Sequence, residues 1–371
     1  MTDGDALLRP RPPTAELLVG VDVGGSKIAV LVVDGDHEIL GRLIVATPVG
    51  SPETAADHIA ETIAATLASA GSTVSDVAAV GVGVPGRVDP EAGIVSLAVN
   101  LGWHRLPLRE QLERRLGVPS AIENDVRAAA AGIRDRRLLG DVEDFVYLSV
   151  GTGISAGVVL GGQLHRGTRG LAGEVGHIVV DPDGPRCSCG LSGCLEMLAS
   201  GPAIARLADG AIRNGRRSSL EACQTITAVD VYAAAAAGDA LAGEIVAGAG
   251  RALARAIHSL VMTYDVQRVI VGGGVAGAGQ PFLASIETEL DAARDASELA
   301  AEMLPRGIVG VLPDGSDTGA WGAITVARTV GPAAVSPATG HVNPTPAGRS
   351  PSSAGPTTTT AKEVVARDAL T

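Results

Sequence analysis

Aromatic residues are nearly missing from this chain. Phe, Tyr and Trp make up 2% of 371 residues, although 46% are hydrophobic. An aromatic-packed interior is excluded, so any core must be built from Ala, Val, Leu and Ile. Positive charge is also short: 29 Lys and Arg stand against 41 Asp and Glu, a net −12. That balance opposes the basic stripe that marks a nucleic-acid-binding surface. No apolar run reaches the roughly 20 residues needed to cross a bilayer, and Met1 to Pro13 lacks the apolar segment of a signal peptide. The expectation is a cytoplasmic protein with neither a nucleic acid nor a membrane as partner. Cysteine is scarce as well, with four in the chain. Their placement carries the information.

Three of the four, Cys187, Cys189 and Cys194, fall within one short segment, with His177 upstream. Thiolate and imidazole are the ligands Zn2+ prefers, and one His with three Cys fills a tetrahedral site without an open position. Free thiols or a disulfide are the alternatives. Without export a disulfide is disfavoured, and clustered cysteines in reducing compartments are more often metal sites. Gly184, Pro185, Gly190 and Gly193 supply the tight turns a metal knuckle needs. The site reads as structural rather than catalytic. Cys223 lies apart, in a stretch that reads as helical, and is expected to be inert packing. Glu174 and Glu196 bracket the cluster and are left over for a polar pocket beside it.

The length allows two ordinary domains or one two-lobed unit. Residues 1–15, punctuated by Pro10, Pro12 and Pro13, and 331–371, rich in Pro, Ser and Thr, read as disordered, with a fleeting helix over Ala361 to Leu370. Between them strands and helices alternate. Leu17 to Val21 and Ile28 to Val33 read as a hairpin, Val77 to Val84, Val118 to Ile122, Phe145 to Val150, Ile154 to Leu160 and Val269 to Val271 as further strands. Helices are expected over Ala55 to Ala70, Leu108 to Leu116, Val126 to Leu139, from near Leu195, over Ala240 to Thr263 and over Thr318 to Thr329. The class is α/β.

Both halves open alike, with a strand, a glycine turn carrying a small hydroxyl residue, and a second strand. The first turn is Asp22-Val-Gly24-Gly25-Ser26-Lys27 and the second Gly151-Thr152-Gly153-Ile-Ser155. Glycines let backbone N–H groups approach phosphate oxygens, so a matched pair points to two lobes closing on one phosphate chain. Either turn alone reads equally well as a plain hairpin. Gly81-Val-Gly83-Val-Pro85-Gly86 matches the dinucleotide pattern GxGxxG, but Pro85 and the residues after it forbid the required helix. Gly20 to Lys27 nearly spells a P-loop, with Ser26 where Lys is needed.

Taken together these motifs resemble the ROK family of sugar kinases and repressors, within the actin-like ATPase superfamily. The likeness runs from about Leu17 to Thr329. It rests above all on Glu174-x-x-His177 with Cys187-x-Cys189-Gly-x-x-Gly-Cys194-x-Glu196, and on Glu123-Asn124-Asp125 and the two glycine turns. The resemblance implies a two-lobed, ribonuclease H-like fold with a zinc-binding loop. An N-terminal lobe would span 16–126, closed by a C-terminal helix at 318–330. A second lobe would span 127–317 and hold the zinc motif at 177–194. It also implies in-line transfer of a phosphoryl group from ATP to a hexose hydroxyl, with Mg2+ and a structural Zn2+, in a homodimer or homotetramer. Asp125 would be the base. Its plain alternative is a helix N-cap, a role open to Asn124 too. Gly86, Arg87, Asn100, Asn124, Asp125 itself, Glu174, His177 and Glu196 would line the sugar. Asp22 would orient Mg2+, with Gly24, Gly25, Ser26, Lys27, Gly151, Thr152 and Gly153 at the phosphates. Gly272, Gly273 and Gly274 would floor the adenosine.

Several positions depart from the commonest glucokinase pattern. Ser26 replaces Thr, Ser155 stands where Gly is usual, Val126-Arg127 follows Asp125 where Ala-Asn is frequent, and Arg87 sits beside the sugar. In relatives that accept N-acetylmannosamine an arginine at the matching place can serve the acyl group. Glucose is nonetheless the first expectation, with N-acetylmannosamine, N-acetylglucosamine or another hexose behind it. A sugar-sensing regulator is the rival of another class; the roughly 16 residues before the first strand are too few for its winged helix.

Overall fold

A computed structural model describes residues 17–48, 52–312 and 316–331. The segments read as disordered, 1–15 and the tail beyond Gly331, lie outside the described residues, as does the helix suggested over Ala361 to Leu370. In chain order the elements are β1 (Leu17–Val23), β2 (Lys27–Val33), β3 (Ile39–Ala46), α1 (Pro52–Ser69), β4 (Val77–Val84), β5 (Arg87–Asp89), β6 (Ile94–Ala98), β7 (Trp103–Leu106), α2 (Leu108–Leu116), β8 (Ser120–Asn124) and α3 (Asp125–Asp135). Then follow β9 (Phe145–Val150), β10 (Ile154–Leu160), β11 (Gln163–His165), α4 (Leu195–Ala199), α5 (Gly201–Arg213), α6 (Ala228–Ala236), α7 (Ala240–Tyr264), β12 (Arg268–Gly272), α8 (Gln280–Ala296), α9 (Glu298–Met303), β13 (Val309–Val311) and α10 (Thr318–Arg328).

Two five-stranded sheets have the same topology. The first is ordered β3-β2-β1-β4-β8 and the second β11-β10-β9-β12-β13. In each, three strands run as an antiparallel meander and two more join in parallel. The central strands are apolar almost throughout because helices or the core cover both faces, as parallel strands require. Each sheet has its own aliphatic core. Val19, Val82, Ile59, Leu112 and Ile122 belong to the first, and Leu148, Ile204, Leu253, Ile257 and Phe282 to the second.

Helix α10 returns to the first sheet, packing on β1 and β4 and crossing α3. Glycine permits the approach. A Cβ on Gly81 would lie 2.0 Å from the Ala323 carbonyl oxygen, and one on Gly322 2.2 Å from that of Ala128. The crossing brings the first residues of α3 and α10 to the ends of β1 and β4, where the site forms.

Several expectations need correction. The strand placed at Val118 to Ile122 is Ser120–Asn124, and the following helix begins at Asp125 and ends at Asp135. β3, β5 to β7, β11 and β13 had no forecast. Cys223 is not in a helix but follows the turn Ser219–Ala222, and it is exposed. Contrary to the reading of apolar run length, α7, with 25 residues, is long and apolar enough to cross a bilayer. Half of its most apolar window is buried, however, with Leu253, Ile257 and Val261 in the second core. The GxGxxG segment continues from β4 into β5, with no helix between.

Candidate active site

The site starts from the end of β8, which delivers Glu123-Asn124-Asp125 to the first turn of α3. Asn124 takes the N-cap: its Oδ1 accepts from the backbone N–H groups of Val126 and Arg127, both at 3.1 Å. Its Nδ2 donates to Asp125 Oδ1 at 2.9 Å and to the Gly86 carbonyl at 3.1 Å. The cap role therefore falls to Asn124, leaving Asp125 half-buried at the helix start. Burial foremost, and then the Asp22 charge, raise the Asp125 carboxyl to about 7.

Asp22 sits near the end of β1 against the N-terminus of α10. A Cβ on Gly319 would fall 2.1 Å from its Oδ2, and one on Gly83 would lie 3.4 Å from Asp125 Cα and 3.8 Å from Asp22 Oδ1. Burial raises Asp22 to about 6, against the opposing charge of Lys27 and with a smaller push from Asp317. Two neighbouring carboxylates held above their ordinary range form a site that a cation would neutralise.

The first glycine turn is the tip of the β1–β2 hairpin, closed by Gly24 N–H to the Lys27 carbonyl at 2.8 Å. Thr47 Oγ1 donates to the Gly24 carbonyl at 2.7 Å. Gly25, Ser26 and Lys27 are exposed. Asn100 lies beside this turn, its Cβ 3.6 Å from where a Gly25 Cβ would be. Both residues border a cavity of about 250 Å³, which Thr47, His58 and Trp103 also line. The second glycine turn closes by Gly151 N–H to the Gly153 carbonyl at 2.9 Å, and Gly201 N–H donates to Gly151 at 2.8 Å. Gly272 to Gly274 come directly beneath it: a Cβ on Gly151 would be 3.7 Å from Gly274 N, and one on Gly273 2.5 Å from the Val150 carbonyl oxygen. Thr152 is exposed at the turn's tip.

Glu196 lies in the first turn of α4, and its Oε2 accepts from Ile154 N–H at 2.9 Å, so it braces the second glycine turn. Glu174 is exposed and leads into the turn Val175–His177. The ligand atoms of His177, Cys187, Cys189 and Cys194 all lie within 4.8 Å of one another. His177 Nδ1 is 3.6 Å from Cys187 Sγ, and Cys189 Sγ is 3.6 Å from Cys194 Sγ. Sulfurs at the corners of a Zn–S tetrahedron stand about 3.8 Å apart, given a bond of about 2.3 Å, so the donor set fits the ion. No pair of these cysteines is bridged. Burial and the two adjacent sulfurs hold the Cys194 thiol well above its ordinary range, so it is a thiolate only where a bound cation stabilises the charge. Gly86 adopts φ +92°, and Arg87 is exposed at the start of β5.

The model of the family described as ROK matches residues 18–329. The chain belongs to the ROK family. Among curated ROK relatives, it is 33% identical over 282 residues to a glucokinase of Halalkalibacterium halodurans, 74% of this chain and 85% of the relative. It is 34% identical over 277 residues to an N-acetylmannosamine kinase of Escherichia coli, covering 73% and 87%. The ROK glucokinase of Streptomyces griseus, solved with glucose and AMPPNP, matches with TM-score 0.68 at 34% identity, over 84% of this chain and 99% of that one. The duplicated sheets are thus the two-lobed, actin-like ATPase fold of ROK kinases.

Sequence reasoning missed the supports of this ROK site. Glu123 and Arg127, 1% and 3% exposed, form an ion pair of 2.8 Å directly behind Asp125, and Arg166 reaches the other Glu123 oxygen at 2.6 Å. Tyr147, on β9, is raised at its phenol chiefly by burial, against the hydrogen bond to Thr318 of α10 and with smaller pushes from the charges of Asp125 and Asp22. Arg127 stood out as unusual in the sequence, but no local pattern brings Arg166 to the same Glu123.

Proposed function

We propose glucose as the hexose that this ATP-dependent sugar kinase phosphorylates, at its 6-hydroxyl. The observation that carries the reading is Asp125: a partly exposed carboxylate with a raised proton affinity, fixed at a helix start by Asn124 and set beside Asp22. A base poised near neutrality accepts the hydroxyl proton as the oxygen attacks. ATP is the donor of the transferred γ-phosphoryl group, and Asp22 would hold the Mg2+ that would supply charge neutralisation there. The backbone amides of Gly24 to Ser26 and Gly151 to Gly153 receive phosphate oxygens, while Gly272 to Gly274 lie under the adenosine.

Asn100, Asn124, Glu174, His177 and Glu196 supply the mixed donors and acceptors that a ring of hydroxyls requires. Gly86 and Arg87 border them. Zn2+ bound by His177, Cys187, Cys189 and Cys194 fixes the loop between Glu174 and Glu196. With Nδ1 of His177 facing the thiols, Nε2 remains for a sugar hydroxyl. Unbridged cysteines suit a reducing, cytoplasmic setting. Support for glucose comes from the glucokinase relatives, including one at 33% identity. The N-acetylmannosamine kinase at 34% makes that sugar the competing reading, favoured by Arg87.

ADP release measured across glucose, mannose, fructose, N-acetylglucosamine and N-acetylmannosamine separates them. Glucose is expected to have the highest kcat/KM. A tenfold preference for N-acetylmannosamine would reassign the substrate, and no turnover of any sugar would remove the reading.

A further inference from the structure

We propose that Arg127 is a positioning residue for the acceptor sugar, its buried guanidinium tying three separate segments of the cradle together through one carboxylate and two backbone carbonyls. The proposal rests on the kinase reading above and deepens it. Arg127 leaves the first turn of α3, two residues after Asp125. Its Nε donates to Glu123 Oε1 at 2.8 Å, its Nη1 to the Gly170 carbonyl and its Nη2 to the Val88 carbonyl at 3.4 Å. These contacts lie on different parts of the chain. Glu123 precedes Asn124 and Asp125. Val88 belongs to β5, the strand that begins with Gly86 and Arg87. Gly170 belongs to the loop that runs on to Glu174 and His177.

The anion completing the clamp is itself overdetermined. Glu123 Oε1 also accepts from Asn124 N–H at 2.8 Å, and its Oε2 takes Arg166 from the same 166–174 loop at 2.6 Å. Ser155 Oγ adds a bond to the Gly173 carbonyl at 3.3 Å, fixing the loop's other end to β10. A fork with five donors in one plane can serve a carboxylate and two carbonyls at once, which an ammonium on a flexible stem does not. Arg127 does not touch the reacting atoms. It sets the distance between the base, the Gly86 arm and Glu174, and a hexose must meet all three.

The test compares wild type with Arg127→Lys, Arg127→Met and Arg166→Met, assayed with glucose or whichever of the five sugars wild type turns over best. Arg127→Lys keeps a cation beside Glu123 but loses the fork. It is expected to raise the sugar KM about tenfold, the equivalent of about one charged hydrogen bond, while the ATP KM stays within twofold. Arg127→Met is expected to exceed it and Arg166→Met to fall short of it. A role in folding alone would lower Tm and the active fraction, hence apparent kcat, without moving either KM. Should Arg127→Met not fold, Arg127→Lys and the more exposed Arg166→Met still decide the matter. Unchanged sugar KM in folded Arg127→Lys overturns the proposal and leaves the kinase reading intact. A wild-type chain inactive on every sugar removes both.

Discussion

At the scale of single residues, Asp125 and Asp22 share a local field that neither sequence position discloses. Asp125 was legible as a candidate through Glu123-Asn124-Asp125, but the same letters allowed either residue to cap α3. The cap geometry gives that task to Asn124. Raised proton affinity carries a pH consequence. Folded Asp125 keeps its proton up to about 7, whereas the unfolded carboxyl releases it near 3.8. This group's contribution to stability is therefore fully present below about pH 4 and is lost as pH rises through 7. Asp125→Asn removes that loss. The variant is expected to be about 2 kcal/mol more stable than wild type at pH 8, half the full shift because Asp125 keeps some solvent contact, and no more stable at pH 4. Thermal melts at the two pH values check this. In wild type the acid limb of kcat/KM should fall near pH 7. Glu123 with Arg127 and Arg166 was not legible: the first pair is only four residues apart, but its burial and its second partner, Arg166, depend on segments distant in sequence.

At the scale of elements, long apolar runs were read well. β4, β9, β10 and α2 have the bounds the sequence implies, and Gly117, in the left-handed region, ends α2 by donating to Glu113. The misses were short or two-faced. β3 mixes half-buried and exposed residues at a sheet edge, with only Gly41 buried, and β5, β11 and β13 have three residues each, too few for a period to show. The crossing of α10 over the first sheet depends on glycines whose neighbours come from across the chain. Gly81→Val would drive its Cβ into the Ala323 carbonyl, 2.0 Å away, and is expected to destabilise by about 3 kcal/mol or more in denaturant titrations. The cysteine cluster was legible because three of its four candidate ligands fall in one short segment, and the fold brings all four ligand atoms within 4.8 Å of one another. Cys189→Ala is expected to lose bound zinc and to weaken sugar binding at least tenfold, measured by elemental analysis and calorimetry on one preparation. Loss of zinc with unchanged sugar affinity would uncouple the metal from the cradle.

At the scale of the whole molecule, two sheets of one topology each open on a glycine turn, and the ends of the first bring Asp22 and Asp125 together. The repetition was visible as matching openings of the two halves. What the sequence did not carry was the meeting of β1, α3 and α10, a tertiary property of small residues. A ligand that touches segments this far apart stabilises the fold as a unit. Glucose at a hundred times its Kd is expected to raise stability by about 2.7 kcal/mol, several degrees in Tm. The most direct test of the account is the single-turnover rate of Asp125→Asn, zinc-loaded, with saturating glucose and MgATP. The account predicts glucose affinity within about threefold of wild type and phosphoryl transfer slowed about a thousandfold. Transfer at a rate near that of wild type would contradict it.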